Sequence, residues 1–429
     1  MKLLNVRLLD GAGSLREQVD LEFEGSNITH ISPSAIHATN SGENPQLADA
    51  LDLSGQTVLP GLFDCHIHVM MDAGNNPNQT VRDEPLVYQA LQAAKRGEKF
   101  LECGVTTVRD LGGVEYSEMS VKRAWAEGWI AGPRMLVSGK CLTMTGGHGW
   151  WFGREVDGPD DARKAARHNI KMGADNIKMM ATGGVMTPGV DPRHVQLTEA
   201  ELRAGFEEAA KAGKLSASHA QGSEGIKNAV RAGVRTIEHG IFLDDEAISL
   251  MLERGTYFSM TLVAPKMIND YGEAAGVPKF MVDKSAWVME AHLKSAAAAY
   301  QAGVKIICGT DAGTPFNKHG ESVVVELQLM RQIGMSTMDI IKAATSISAE
   351  AMRLDDQLGT LQVGKLADLV VTDGDPLQDL NVLARPTLVF KEGRLVVNRF
   401  HQPGSGSNGA TTANPLPLLE HSQPQDHFC

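Results

Sequence analysis

Between Thr57 and Asp311 the chain repeats one unit: a short apolar run rich in β-branched residues, a polar or Gly-rich break, then a longer segment with helical periodicity. Eight such runs can be counted: TVLPGLFDCHIHV from Thr57, VTTVRDLGG from Val105, RMLVSGKC from Arg134, NIKMMATGG from Asn176, LSASHA from Leu215, TIEHG from Thr236, TYFSMTL from Thr256 and KIICGTDAG from Lys305. Strands that alternate with helices imply a parallel sheet, and eight units over about 250 residues is the size of a (β/α)8 barrel. An α/β fold built on a TIM-like barrel is therefore expected, with a doubly wound open sheet as the second reading of the same alternation.

The intervening helices carry their own signals. Thr198 followed by Glu201 opens LTEAELRAGFEEAAKAG as a capping box that closes at Gly213, and Asp161 opens DARKAARHNIKMG, which closes at Gly173. VDKSAWVMEAHLKSAAAAYQAG reads as one long helix stopped by Gly303, just before the eighth run.

Residues 1–56 and 366–400 instead show short alternating runs broken by DG, EG and GD turns. Neither piece can close a core alone, so the two are expected to pair as a small β-sandwich, with the barrel (57–365) inserted between them. Residues 401–429 are rich in Gly, Ser, Pro and Asn without periodicity and read as a flexible tail.

Lys plus Arg number 40 against 52 Asp plus Glu, a net charge of −12 that repels phosphate backbones and anionic lipid, so neither nucleic acid nor a membrane is expected as a partner. Five scattered cysteines (Cys65, Cys103, Cys141, Cys308 and Cys429) form no disulfide framework in a chain of 429 residues. The apolar opening is interrupted by Arg7 and Asp10, and no 18-residue uncharged apolar stretch follows, which leads to the expectation of a soluble cytoplasmic protein.

In barrels, functional groups project from the C-terminal strand ends. Here those ends carry His66 and His68, Lys178, His219, His239 and Asp311. The His-x-His spacing puts both imidazoles on one side of a strand. Four histidines at one mouth read as metal ligands, with Asp311 as a hard anionic ligand able to take a proton. The competing role for Asp311 is a helix N-cap. Lys178 is the odd member: beside cations it must be a distant surface lysine, a neutral amine or a modified group.

His66-x-His68, Lys178, His219, His239 and Asp311, together with GVTTVRDLGG, TGGHG, NIKMMATGG, RAGVRTIEHG and GTLQVGKLADLVVTDGDP, resemble the amidohydrolase superfamily, in its Xaa-Pro dipeptidase and ochratoxin-hydrolase branch. The resemblance implies two divalent metal ions, expected to be zinc. His66, His68 and Asp311 would hold the more buried ion and His219 and His239 the more exposed one, with Lys178 bridging both as a CO2-derived carbamate. It further implies attack by a metal-bridging hydroxide, with Asp311 as the catalytic general base and acid, and it favours a homo-oligomer. The four cysteines of the barrel region are then small core fillers.

For substrate contact the candidates are His148, on the TGGHGWWFGRE loop, Gln221, where related members often carry Tyr, and Arg154, which would pair with a substrate carboxylate. A surface-loop role is the alternative for His148, and Arg109 and Asp110 are expected to pair with each other. The expected activity is hydrolysis of a small-molecule amide, of the dipeptide or N-acyl amino acid type and including ochratoxin-like amides. The alternatives are ester, lactone, cyclic amide or organophosphate hydrolysis at the same centre, or a non-catalytic metal-binding scaffold.

Overall fold

The computed structural model describes residues 1–34 and 50–400, so the flexible-tail expectation for 401–429 lies outside the described residues, as do His37, His401, His421, His427 and Cys429. The fold is α/β with parallel sheets. All eight runs form strands: β1 (Leu62–Ile67), β2 (Val105–Asp110), β3 (Arg134–Val137), β4 (Asn176–Met180), β5 (Leu215–Ala220), β6 (Thr236–His239), β7 (Tyr257–Ser259) and β8 (Ile306–Ile307). In β1, β2, β4, β5 and β6 every residue is buried, as expected where helices cover a parallel sheet.

β1, β2 and β3 make one parallel sheet, and β4 to β8 pair in chain order within a second. Backbone hydrogen bonds join the two at both edges. Cys65 N donates to Cys308 O at 2.8 Å and Asp311 N to His66 O at 2.7 Å, while Asp175 N donates to Val137 O at 2.8 Å. The second sheet also takes in Leu142–Thr143 and Arg154–Glu155, which pair in parallel and clamp the base of the His148 loop.

The helices end where their caps dictate. Thr198 and Glu201 form the reciprocal capping box of Glu199–Lys211, a device that stabilises a helix start by about 1 kcal/mol. The helix expected from Asp161 starts earlier, at Pro159 with Gly158 before it, because proline's fixed φ suits the first helical turn; it closes at Gly173, φ 107°. The long helix spans Lys279–Ala302 and stops at Gly303. No helix among the described residues is long and apolar enough to cross a membrane.

The flanking pieces share one eight-stranded, mostly antiparallel sheet, with Lys2–Leu9 and Leu15–Glu24 towards one edge and Leu369–Asp373 and Leu388–Lys391 towards the other. Gln56–Pro60 also runs in this sheet, paired antiparallel with Leu369–Asp373, so the first apolar run divides between two sheets. The division falls at Gly61, where a Cβ would lie 2.1 Å from Thr106 Oγ1. Phe23 and Phe390 stand four strands apart, roughly 19 Å along a flat sheet, yet their ring centroids are 5.3 Å apart. The sheet therefore curls until its flanks face each other over a core that includes Leu3, Leu21, Val58, Leu369 and Phe390.

Candidate metal centre and its cavity

The strand ends bring together every donor expected of them. The free ligand atoms of His66, His68 and Asp311 lie within 4.8 Å of one another. Both His66 Nε2 and His68 Nε2 sit 3.3 Å from Asp311 Oδ1. Ring centroids of His66 and His239 are 5.1 Å apart, and those of His219 and His239 are 4.6 Å apart. Lys178 is buried and lines the same cavity, with all four histidines and Asp311.

Each imidazole is tethered through one nitrogen. His66 Nδ1 donates to Glu238 Oε2 at 3.0 Å, His68 Nδ1 to Gly112 O at 3.3 Å, His219 Nε2 to Gly183 O at 2.9 Å and His239 Nδ1 to Thr261 Oγ1 at 2.7 Å. The Thr261 hydroxyl gives its own proton to Met260 O at 2.6 Å, so it can only accept from the ring. On His219 and His239 the second nitrogen is left as a lone pair, the form that binds a cation, while on His66 and His68 it faces Asp311 Oδ1. Burial, reinforced by neighbouring positive groups, holds His66, His219 and His239 well below the ordinary imidazole range. Burial likewise lowers His68, but its hydrogen bond to Asp311 and that carboxylate's charge more than offset it.

Burial brings the Lys178 amine down to about 8, against the raising effect of Glu238 and Asp311. A neutral amine fraction thus exists near physiological pH, and the neutral form is the one that attacks CO2. His239 and Asp311 both hold left-handed backbone, φ 75° and 61°, as does Thr261 at 56°. Such conformations cost roughly 1–3 kcal/mol each and persist where surrounding contacts fix them.

Arg109 and Asp110, with Glu238 and Asp64, which the sequence alone did not single out, hold this cluster from behind. The Arg109 guanidinium donates to Cys65 O, Thr236 Oγ1 and Glu238 Oε1, so it pairs with Glu238 and not, as expected, with Asp110. Asp110 instead accepts from the backbone of Val69 and Gly112. Asp64, raised to about 7 by burial, accepts from Thr310 N and Oγ1 and from His66 N, tying β1 to the segment that carries Asp311. The period-two series Asp64, His66, His68 was the available signal for it. Cys65, Cys103, Cys141 and Cys308 are buried free thiols, raised by burial, in keeping with a filling role.

Of the substrate-contact candidates, His148 and Gln221 line the cavity and Arg154 does not. Arg154 lies on the short strand that clamps the loop base and pairs with Asp161 at 3.2 Å. His148 stacks beside His219, ring centroids 4.3 Å apart, with Nδ1 on Thr187 Oγ1 at 2.7 Å. The ring reaches that place because Gly184 lacks a side chain: a Cβ there would lie 2.4 Å from His148 Cε1. Burial drives His148 down to about 3. His292, on the long helix and absent from the sequence reading, also lines the cavity and donates from Nε2 to Met260 O at 2.8 Å.

Imidazoles, a carboxylate and a partly neutral lysine gathered beyond the C-terminal edge of parallel strands make a donor set of the kind that can hold a divalent cation. The chain belongs to the amidohydrolase family, whose sequence profile, described as "Amidohydrolase family", matches residues 57–396. It is similar to ochratoxinase of Aspergillus niger, 32% identical over 392 residues that cover 84% of this chain and 78% of the relative. The crystal structure of a Xaa-Pro dipeptidase with bound methionine in the active site superimposes with a TM-score of 0.85 at 33% identity, covering 92% of this chain and 98% of the other. A prolidase complexed with N-methylphosphonate-L-proline does so at 0.83 and 33%, covering 92% and 99%. The chain is thus a hydrolase acting on C–N bonds, in the branch that holds those relatives.

Proposed function

We propose that this protein is a binuclear metal-dependent amidohydrolase that cleaves an amide of the dipeptide or N-acyl amino acid type, ochratoxin-like amides included. In this reading the eight parallel strands form one closed (β/α)8 barrel, inserted into a small sandwich made by the curled sheet. The observation that carries the proposal is the set of four imidazoles, each tethered through one nitrogen and gathered about Asp311 and Lys178, three of them held neutral by burial. His66, His68 and Asp311 would hold one divalent cation and His219 and His239 another, zinc being the expected metal. Lys178, having added its neutral amine to CO2 with loss of one proton, would present two carbamate oxygens between them.

The bound cations would supply a polarised scissile carbonyl and an acidified water. The chain's own residues do the rest. Asp311 Oδ1 takes the proton released as water adds and passes it to the departing nitrogen, so acid and amine leave with water divided between them. Gln221 and His148, which line the cavity, would hydrogen-bond the oxygen on which charge develops.

Elemental analysis and a substrate panel test this. About two divalent ions per chain are expected, with activity lost on chelation and regained with metal. Lys178→Ala should be inactive and partly rescued by short carboxylic acids, which replace the missing carbamate oxygens. A metal-replete protein inert towards amides, or a fully active Lys178→Ala, would refute the reading.

A further inference from the structure

The turn-rich lobe 184–190 follows β4 and borders the cavity through Val185 and Met186. Its base is closed by the bridge between Thr182 and Val195 and by Gly183 N, which donates to His194 O at 3.0 Å. Gly183 permits that closure, since a Cβ there would lie 2.2 Å from Asp191 O. Beyond the base, side chains from other elements hold the lobe by its carbonyls. Asn78 Nδ2 donates to Met186 O at 2.8 Å. From the long helix, the Lys284 ammonium donates to Gly184 O at 3.2 Å, Thr187 O at 2.6 Å and Val190 O at 2.5 Å.

A primary ammonium has three N–H donors and no acceptor, so this one is wholly committed to the lobe. The acid whose charge favours it, Asp191, is engaged by Arg193 at 2.9 Å. Burial works against a charged lysine here, and the gathered carbonyls are what offset it.

Two of the three residues so gathered are the ones that seat His148. Thr187 Oγ1 lies 2.7 Å from His148 Nδ1 and accepts from Gly149 N at 3.3 Å. Gly184 leaves the gap in which the ring rests. Lys284 itself does not line the cavity, whereas His148 does.

We infer that Lys284 is a positioning residue for His148: by drawing together the carbonyls of Gly184, Thr187 and Val190, it sets the lobe at the depth where Thr187 and Gly184 seat that ring beside His219. The kinetic consequence rests on the amide-hydrolase reading, in which His148 hydrogen-bonds the oxygen on which charge develops; the seating of the ring does not.

The test uses the full chain, metal-loaded, with an amide from the substrate panel. Lys284→Met, which keeps the length of the side chain and loses its donors, should lower kcat about 10–100-fold with KM within about twofold. It should add nothing to the loss already present in His148→Ala, because the two act as a unit. A parent-like kcat, a change confined to KM, or a further loss on the His148→Ala background overturns the inference. Hydrogen exchange reads the seating without substrate. In Lys284→Met it should quicken about tenfold in both 181–196 and 146–153 while β5 stays as in the parent. Thr187→Val keeps the ammonium clamp and cuts its link to the ring, so it should quicken 146–153 alone and lower kcat as Lys284→Met does. If no amide is cleaved, the activity reading fails by itself and the exchange pattern still decides. Unchanged exchange in Lys284→Met, or a change confined to 181–196, refutes the positioning role. Should Lys284→Met not fold, Thr187→Val carries the test, and parent-like exchange in its 146–153 segment refutes the role equally.

Discussion

Thr261 acts on the centre without reaching it. Its hydroxyl can only accept from His239 Nδ1, so it fixes the tautomer and the direction of the other ring nitrogen. Thr261→Ala should lower metal affinity about 10–100-fold, read by chelator competition, while Thr261→Ser restores it; an unchanged affinity in the alanine variant would show that the tether is incidental. At this scale the sequence disclosed the donors but not what aims them. His66, His68, His219 and His239 stand at or just past strand ends, Lys178 in the middle of its strand and Asp311 on the segment after the eighth, all within runs that periodicity locates. The acceptors behind them are largely backbone carbonyls, Gly112 O and Gly183 O, or residues remote in sequence such as Glu238 behind His66. Which carbonyl faces which ring depends on loop path, and no residue type encodes it. Arg154 was misplaced for the same reason: its side chain turns to Asp161, in the first turn of the helix that follows.

Among the elements, the helix Val263–Tyr271 contributes Ala264, Pro265 and Ile268 to the cavity and is held at its start by a distant group. Glu326 accepts from Leu262 N at 3.1 Å and Val263 N at 2.7 Å. Burial raises Glu326 from 4.5 to about 8, and those two N–H groups only partly oppose it. Its folded pKa lies above its unfolded one, so its stabilising contribution is complete below about pH 4.5 and disappears as the pH climbs through about 8. Between pH 5 and 9 the melting temperature should therefore decline more in the parent than in Glu326→Gln, which cannot ionise; parallel declines would contradict this. The elements themselves were largely readable, because alternation and caps are local properties. Their ends were less so. Gly158 and Pro159 begin a helix expected at Asp161, and the run from Thr57 is split between two sheets at Gly61, where tertiary contact with Thr106 sets the boundary.

Across the whole molecule, the curled sheet depends on strands from both ends of the chain. Phe390 is 1% exposed and meets Phe23 edge-on. Phe390→Ala should cost about 3–5 kcal/mol, seen as a lower denaturation midpoint. Activity per folded, metal-loaded molecule should be unchanged, since Phe390 lies in a core separate from the cavity; a selective loss of kcat would show that the sheet steers the centre. The contact between Phe23 and Phe390 also has a temporal side. During synthesis the hairpin that carries Phe23 leaves the ribosome more than three hundred residues before Phe390, so its greasy face must wait for that later strand to emerge before it can be covered.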